Sequence, residues 1–81
     1  MPFVYVLRDA AGRHYIGSTE NLETRLAQHR AGGTQTTRQM RPPLELVAQR
    51  EYPTMNEAYV AERGYKRWKN GAKVAAWLNS G

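Results

Sequence analysis

The stretch FVYVLRDAAGRHYIG, residues 3–17, places two β-branched and aromatic runs on either side of a polar loop that contains a glycine. This pattern predicts a β-hairpin with strands over about 3–7 and 14–17. Alternation puts Tyr5 on one face of the first strand, and Tyr15 with Gly17 on one face of the second. If the two tyrosines share a face, the sheet carries two phenols on one side. For a single strand tyrosine, a hydroxyl at the rim of the sheet is the simpler interpretation.

Beyond the hairpin, the chain predicts a helix over about 21–30, a polar loop over 34–43, a third strand over 44–51, a helix over about 54–68 and a short last helix over 72–78. Ser18 and Thr19 can cap the first helix, and Thr54 followed by Glu57 is a capping-box pattern that opens the second. The predicted fold class is therefore α/β: a small three-stranded, mainly antiparallel sheet flanked by helices, in the order β-β-α-β-α-α.

The length and composition of the chain exclude several classes of protein. A chain of 81 residues predicts a single domain over 1–81, with one thin core and no room for an internal small-molecule cofactor. The absence of cysteine excludes disulfides and thiolate zinc sites and favours a reducing compartment, so we expect a cytoplasmic protein. We expect no export signal and no membrane segment, since no apolar run approaches about 20 residues.

The distribution of charge indicates a polyanionic partner. All 7 acidic residues and 7 of the 12 basic residues lie within 1–62, so the net charge of +5 lies entirely after Glu62. A second acid-free stretch runs from Thr24 to Leu44. Two such segments in a small domain favour phosphate binding, although a merely solvated basic face fits the charge equally well. The candidate nucleic-acid contacts are Arg30, Arg38, Arg41, Lys66, Arg67, Lys69 and Lys73.

Three polar side chains fall on predicted apolar helix faces. Arg25 and His29 are four residues apart and share the core-facing side of the first helix. Glu62 projects within an apolar stripe of the second helix, where a carboxylate is costly unless it is paired or bound to a cation. In the simplest interpretation, Arg25 and Glu62 form a structural ion pair and His29 is an ordinary core or surface histidine.

Taken together, these residues resemble the GIY-YIG endonuclease family over nearly the whole chain. The two motif elements are Phe3-Val4-Tyr5 and Tyr15-Ile16-Gly17, followed at the family's spacing by Arg25, His29 and Glu62. The chain looks most like the small stand-alone bacterial members, which are related to the N-terminal nuclease domain of the excinuclease that acts in DNA repair. Thr36-Thr37-Arg38 ahead of two prolines is also similar to those proteins.

The chain departs from the family pattern at three positions. Phe3 replaces the first glycine of the motif, and His29 stands where some members carry a tyrosine. Ser18 stands where the excinuclease domain has a lysine, so one phosphate contact is missing or is made by another basic residue.

The resemblance implies a metal-dependent DNA endonuclease. Its catalytic residues would be Tyr5, Tyr15, Arg25, His29 and Glu62. Glu62 would hold one Mg²⁺ or Mn²⁺, and Arg25 would clamp a phosphate oxygen. Tyr15 would be the general base, relayed with His29 or Tyr5. Forming a free tyrosinate at pH 7 costs about 4 kcal/mol, so His29 competes for this role.

The substrate is less determined by the sequence. With no added reading domain, we expect little sequence specificity and a preference for single-stranded or branched DNA over duplex DNA. Tyr65, Trp68 and Trp77 could stack on bases, but their helical spacing favours the core. The alternatives are a catalytically weak nucleic-acid-binding module of the same fold and a protein-interaction domain that binds an acidic partner.

Overall fold

The structure, a computed structural model, describes residues 1–31 and 40–80 of the chain. Its elements are the strands β1 (Phe3–Arg8), β2 (His14–Thr19) and β3 (Glu45–Glu51) and the helices α1 (Leu22–Arg30), α2 (Met55–Lys66) and α3 (Gly71–Ser80). The order is β-β-α-β-α-α, which confirms the predicted fold class.

The three strands form one sheet in the order β2-β1-β3, and both pairs are antiparallel. The first strand is therefore central, and four of its six residues are buried. Tyr5 lies opposite Gly17 of β2 and opposite Gln49 of β3. The register against β3 shifts between Val6 and Leu7. These pairings fix which residues of the hairpin meet across the sheet.

The alternation of β1 divides the core between the two faces of the sheet. Val4 and Val6 pack with Ile16 and with apolar residues of α2 and α3. Tyr5 and Leu7 pack on the other face, where Tyr15, Leu22, Leu26 and Leu44 join them. Helix α2 lies chiefly against β2, and α3 lies against β3. The tyrosines consequently share the face that α1 covers, which the register of the hairpin decides and the sequence left open.

The hairpin loop is organised by the buried carboxylate of Asp9. It accepts backbone hydrogen bonds from Ala11 (3.0 Å), Arg13 (2.7 Å) and Arg41 (3.0 Å). These hydrogen bonds lower the pKa of Asp9, and the bond from Arg41 has the largest effect. Gly12 closes the turn at φ 85°, a left-handed conformation that favours glycine. Asp9 therefore ties the loop to the segment that leads into β3.

Three sequence expectations about the helices are wrong. The cap of α1 is Asn21, whose side chain accepts from Thr24 N, and not Ser18 or Thr19. Thr19 instead forms a short turn with the backbone of Asn21. Helix α2 ends at Lys66, so Trp68 lies beyond it, 40% exposed, and Trp77 is 53% exposed. The two tryptophans are thus not core residues: Trp68 lies beyond the end of α2, and Trp77 lies off the buried face of α3, which Val74, Ala75 and Leu78 form.

The cap predicted for α2 is confirmed, and one predicted motif lies outside the described residues. Thr54 caps α2 by accepting from Glu57 N at 3.2 Å. Thr36, Thr37 and Arg38 fall in the segment that the structure does not describe. Within the described ranges, no helix has the length and apolar character that crossing a membrane requires.

Candidate active site

The site begins at the contact between Tyr5 and Gly17 in the centre of the hairpin. The two residues are paired across β1 and β2, and the Tyr5 ring lies over the glycine backbone. A Cβ on Gly17 would stand 2.6 Å from the Tyr5 hydroxyl oxygen and 2.9 Å from Cε2 of Tyr15. Glycine is therefore required here for close approach, and its absent side chain lets both phenols converge.

His29 of α1 completes a buried cluster of three rings with these tyrosines. Its Nε2 shares a 2.7 Å hydrogen bond with the Tyr5 hydroxyl, and the imidazole is only 2% exposed. The His29 ring centroid lies 5.2 Å from that of Tyr15 and 5.8 Å from that of Tyr5. The cluster holds its polar atoms in fixed positions, with the half-buried Tyr15 ring on its outer side.

Burial sets the protonation of the two inner groups. It raises the pKa of Tyr5, and the neighbouring Tyr15 hydroxyl raises it further. Burial also lowers the pKa of His29, and the positive charge of Arg25 acts in the same direction. At pH 7 Tyr5 is therefore a protonated phenol and His29 a neutral imidazole able to accept a proton.

Glu62 of α2 contributes a buried carboxylate beside this cluster. One oxygen, Oε1, accepts a hydrogen bond from the Ser18 hydroxyl at the end of β2, and Oε2 pairs with Lys66 Nζ at 2.7 Å. The Lys66 ammonium also lies 5.8 Å from the centroid of the Tyr15 ring. Lys66 thus links the Glu62 carboxylate to the Tyr15 side of the cluster, and the charge of Glu62 is among the causes that raise the pKa of Tyr5.

Arg25 lies half-buried on α1, one turn before His29. Its charge opposes the rise in the pKa of Tyr5 and adds to the fall in the pKa of His29, as a guanidinium near both groups does. The structure thus brings together Tyr5, Tyr15, Arg25, His29 and Glu62, the five residues predicted as catalytic. In the described part of the chain Glu62 forms its ion pair with Lys66 and not with Arg25.

The predicted nucleic-acid contacts are more widely spread. Arg30 is exposed at the end of α1, Arg41 is exposed next to the Asp9 turn, and Arg67 is exposed at the end of α2. Lys73 Nζ lies 5.7 Å from the Trp68 ring centroid, away from the cluster. Lys66 is the member of this group that belongs to the site itself, and Arg38 lies outside the described residues.

The donor set around Glu62 suits a hard divalent cation. No group of three acidic, histidine or cysteine side chains that could hold a metal occurs in residues 1–31 and 40–80. Mg²⁺ nevertheless often takes a single carboxylate and keeps most of its waters. Glu62 offers one buried carboxylate, whose neighbours are the Ser18 hydroxyl and the Lys66 ammonium, which a bound cation would displace from Oε2. The residues present therefore fit one Mg²⁺ or Mn²⁺ with Glu62 as its protein ligand.

Ser18 is the residue of the site that sequence reasoning missed. The sequence suggested it as a helix cap or as a lost phosphate contact, whereas its hydroxyl binds Glu62. The signal was present in the period of β2, because Ser18 shares a face with Ile16, which packs on the α2 side of the sheet. The partner on α2 could not be named without the packing of α2 on β2.

Comparisons with known proteins find a matching family model and similar chains. The GIY-YIG catalytic domain model matches residues 1–74. A UPF0213 protein of Cupriavidus pinatubonensis is 38% identical over 74 residues, covering 90% of this chain and 81% of that protein. A UPF0213 protein of Nitratidesulfovibrio vulgaris is 40% identical over 80 residues, covering 98% of this chain and 72% of that protein.

One solved structure is also similar. The solution NMR structure of a UPF0213 protein from Bacillus halodurans is 30% identical, with a TM-score of 0.51. The match covers 99% of this chain and 84% of that one.

Proposed function

The chain belongs to the GIY-YIG catalytic domain family, and we propose that it is a metal-dependent endonuclease that hydrolyses phosphodiester bonds in DNA, with residues 1–81 acting as one nuclease domain. The family indicates a nuclease-type hydrolase and a nucleic-acid substrate. The observation that supports the finer assignment is the buried Glu62 carboxylate, which Ser18 holds and which Lys66 links to the Tyr15 ring of the cluster.

Glu62 is the proposed ligand of the divalent cation. A bound Mg²⁺ or Mn²⁺ supplies Lewis-acid stabilisation of the charge on the phosphate and the leaving 3′-oxygen. Ser18 holds one oxygen of the carboxylate and so sets its orientation. Lys66 neutralises the other oxygen in the free protein. A single carboxylate needs such support, because partners behind a metal ligand fix its geometry and its basicity.

Arg25 is the proposed clamp on a non-bridging phosphate oxygen. Its guanidinium is half-buried, where a charge interacts more strongly than in open water. It faces the same cluster as Glu62, as its effect on the pKa values of Tyr5 and His29 indicates. Arginine donors suit this role because the planar guanidinium can donate two hydrogen bonds to a phosphate.

Proton transfer from the attacking water is proposed to run through Tyr15. The water gives its proton to the Tyr15 oxygen while the Tyr15 proton passes to Tyr5 and the Tyr5 proton passes to His29 Nε2. The 2.7 Å bond between Tyr5 and His29 supports the last transfer, and the Tyr15 ring, whose centroid lies 6.2 Å from that of Tyr5, lies beside the group that would receive its proton. This route forms an imidazolium at His29 and no free tyrosinate, so its cost is the protonation of a buried imidazole whose pKa is lowered.

The proposed substrate is single-stranded or branched DNA, cut with little sequence specificity. Trp68 and Trp77 are exposed, their ring centroids lie 6.2 Å apart, and Lys73 lies beside Trp68. Exposed aromatic rings next to basic side chains favour unpaired bases, which can stack on them. Phosphate contacts from basic residues such as Arg30, Arg41 and Arg67 would position a strand without reading its sequence.

The test is a cleavage assay on end-labelled single-stranded, duplex and branched DNA of the same sequence, with Mg²⁺, Mn²⁺ or EDTA. We expect cutting that requires the metal and is faster on the single-stranded or branched substrates. Salt-sensitive binding without any cutting would instead identify a nucleic-acid-binding module of the same fold. Cutting in EDTA at the same rate would contradict the metal-dependent mechanism.

A further inference from the structure

A groove of about 530 Å³ opens between the hairpin and the connection from α2 to α3. Residues 12–16 form one wall, and Lys66 with residues 69–71 forms the other. Tyr15 and Lys66 belong both to this groove and to the candidate active site, where the ammonium faces the ring. The groove therefore leads directly away from the proposed catalytic cluster.

Both walls of the groove carry positive charge. Arg13 stands on the hairpin wall, and Lys66 and Lys69 stand on the opposite wall, while none of the lining residues is acidic. Arg13 is held by Asp9 at 3.3 Å, with its side chain 56% exposed. In the described part of the chain no ion pair involves Lys69. The groove thus presents cations on two sides to whatever lies in it.

Two backbone positions, Lys69 and Gly71, determine the shape of the groove wall opposite the hairpin. Lys69 has φ 53°, a left-handed conformation that is uncommon for a residue with a Cβ. This conformation turns the chain into Asn70, whose side chain accepts from Lys73 N and opens α3. A Cβ at Gly71 would overlap the Cβ of His14, so a glycine is needed where α3 meets the hairpin. The floor of the groove is consequently a close backbone contact and not a loose gap.

We propose that this groove binds the sugar–phosphate backbone of the DNA strand flanking the scissile phosphate, with Arg13 and Lys69 as phosphate contacts from opposite walls. The proposal rests on the proposed nuclease function and assigns the strand's path out of the catalytic cluster. A polyanion is the occupant that two facing cationic walls favour. The groove recognises phosphates, so it holds strands of any sequence.

The experiment compares two variants that each lose two positive charges. Arg13→Gln/Lys69→Asn alters the groove, and asparagine tolerates the left-handed conformation at 69. Arg50→Gln/Arg63→Gln is the matched control, since neither residue lines the groove and β3, which carries Arg50, is separated from β2 by β1. Binding of a fluorescein-labelled single-stranded oligonucleotide is measured by anisotropy in EDTA at several salt concentrations, and thermal unfolding confirms that each variant folds.

Each phosphate contact to a single strand contributes about 0.7 to the slope of log affinity against log salt. We expect the groove variant to lower this slope by about 1.4, which is about 25-fold in affinity at 0.1 M salt, with the control unchanged. Equal losses in the two variants, or no loss in the groove variant, would overturn the proposal. If the double variant does not fold, Lys69→Asn alone should lower the slope by about 0.7, and an unchanged slope would overturn it.

The binding readout separates this proposal from the nuclease function. Loss of binding confined to the groove variant, in a protein that never cuts DNA, would support the groove and refute the nuclease. Metal-dependent cutting by wild-type protein, with groove-variant binding equal to wild type, would refute the groove and leave the nuclease standing.

Discussion

The absence of a side chain at Gly17 is required for the ring cluster, so Gly17→Ala should destabilise the fold. The added Cβ would stand 2.6 Å from the Tyr5 hydroxyl oxygen, whereas ordinary contacts begin near 3.4 Å. Tyr5 would therefore have to move by about 0.8 Å, and it is buried with its hydroxyl bonded to His29. Overpacking of this kind costs about 1–3 kcal/mol, which is a fall in Tm of about 4–8 °C per kcal/mol in a domain of this size.

Gly64→Ala is the matched control for this change. Gly64 lies exposed on α2, and nothing stands within 4 Å of its added Cβ. There the alanine should stabilise the protein by about 0.5–1 kcal/mol, because it improves helix propensity. Both variants are compared with wild type by urea and thermal unfolding, followed by circular dichroism. A Gly17→Ala protein as stable as Gly64→Ala, with the Tyr5 to His29 hydrogen bond intact, would refute the close-packing argument.

Three further outcomes follow from the same cluster. Tyr5→Phe removes the 2.7 Å hydrogen-bond partner of the buried His29 Nε2. It should lower the free energy of unfolding in urea by about 1–3 kcal/mol and slow cleavage about 10²–10⁴-fold, while DNA binding measured by anisotropy stays unchanged. Ser18→Ala removes the donor to Glu62 Oε1 and should weaken Mn²⁺ binding, followed by electron paramagnetic resonance, about 10–100-fold, whereas unchanged affinity would contradict the positioning role. Folding lowers the pKa of His29, so as the pH falls the imidazole is protonated in the unfolded chain before it is protonated in the folded one. The contribution of neutral His29 to stability is therefore present above about pH 6.5 and is lost as the pH falls below that value. A His29→Gln variant should lack this part of the pH dependence in urea titrations between pH 7.5 and 5.5.

The hairpin and its tyrosine pair could be predicted because their signals are local. A period of two puts Tyr15 and Gly17 on one face of the second strand, and the pairing register then decides whether Tyr5 shares that face. The spacing from Arg25 to His29 likewise fixes a shared helix face. The fold class was therefore readable from the sequence, whereas the membership of the cluster was implied by the family resemblance.

The contacts between elements were not readable, since they depend on packing. Ser18 and Lys66 share the carboxylate of Glu62, one from β2 and one from the next turn of α2. The sequence assigned Lys66 to nucleic-acid binding because charge patterns do not reveal ion-pair partners. The exposure of Trp68 depends on where α2 ends, and the boundary of a helix is set by its cap and its surroundings.

The groove likewise could not be predicted from the sequence. Arg13 belongs to the turn of a hairpin and Lys69 to a connection between helices, more than fifty residues later. Charge clustering along the chain pointed to Lys69 and not to Arg13. Only the approach of α3 to the hairpin at Gly71 places the two on facing walls.

The central claim is that Glu62 holds the catalytic cation, and single-turnover cleavage by Glu62→Gln tests it most directly. Glu57→Gln is the control, since it makes the same change in charge on the same helix at an exposed position. We expect Glu62→Gln to slow Mg²⁺-dependent cleavage by about 10³-fold, because the loss of a metal ligand removes several kcal/mol of transition-state stabilisation, while Glu57→Gln keeps the wild-type rate. Cleavage by Glu62→Gln at the rate of Glu57→Gln would contradict the account.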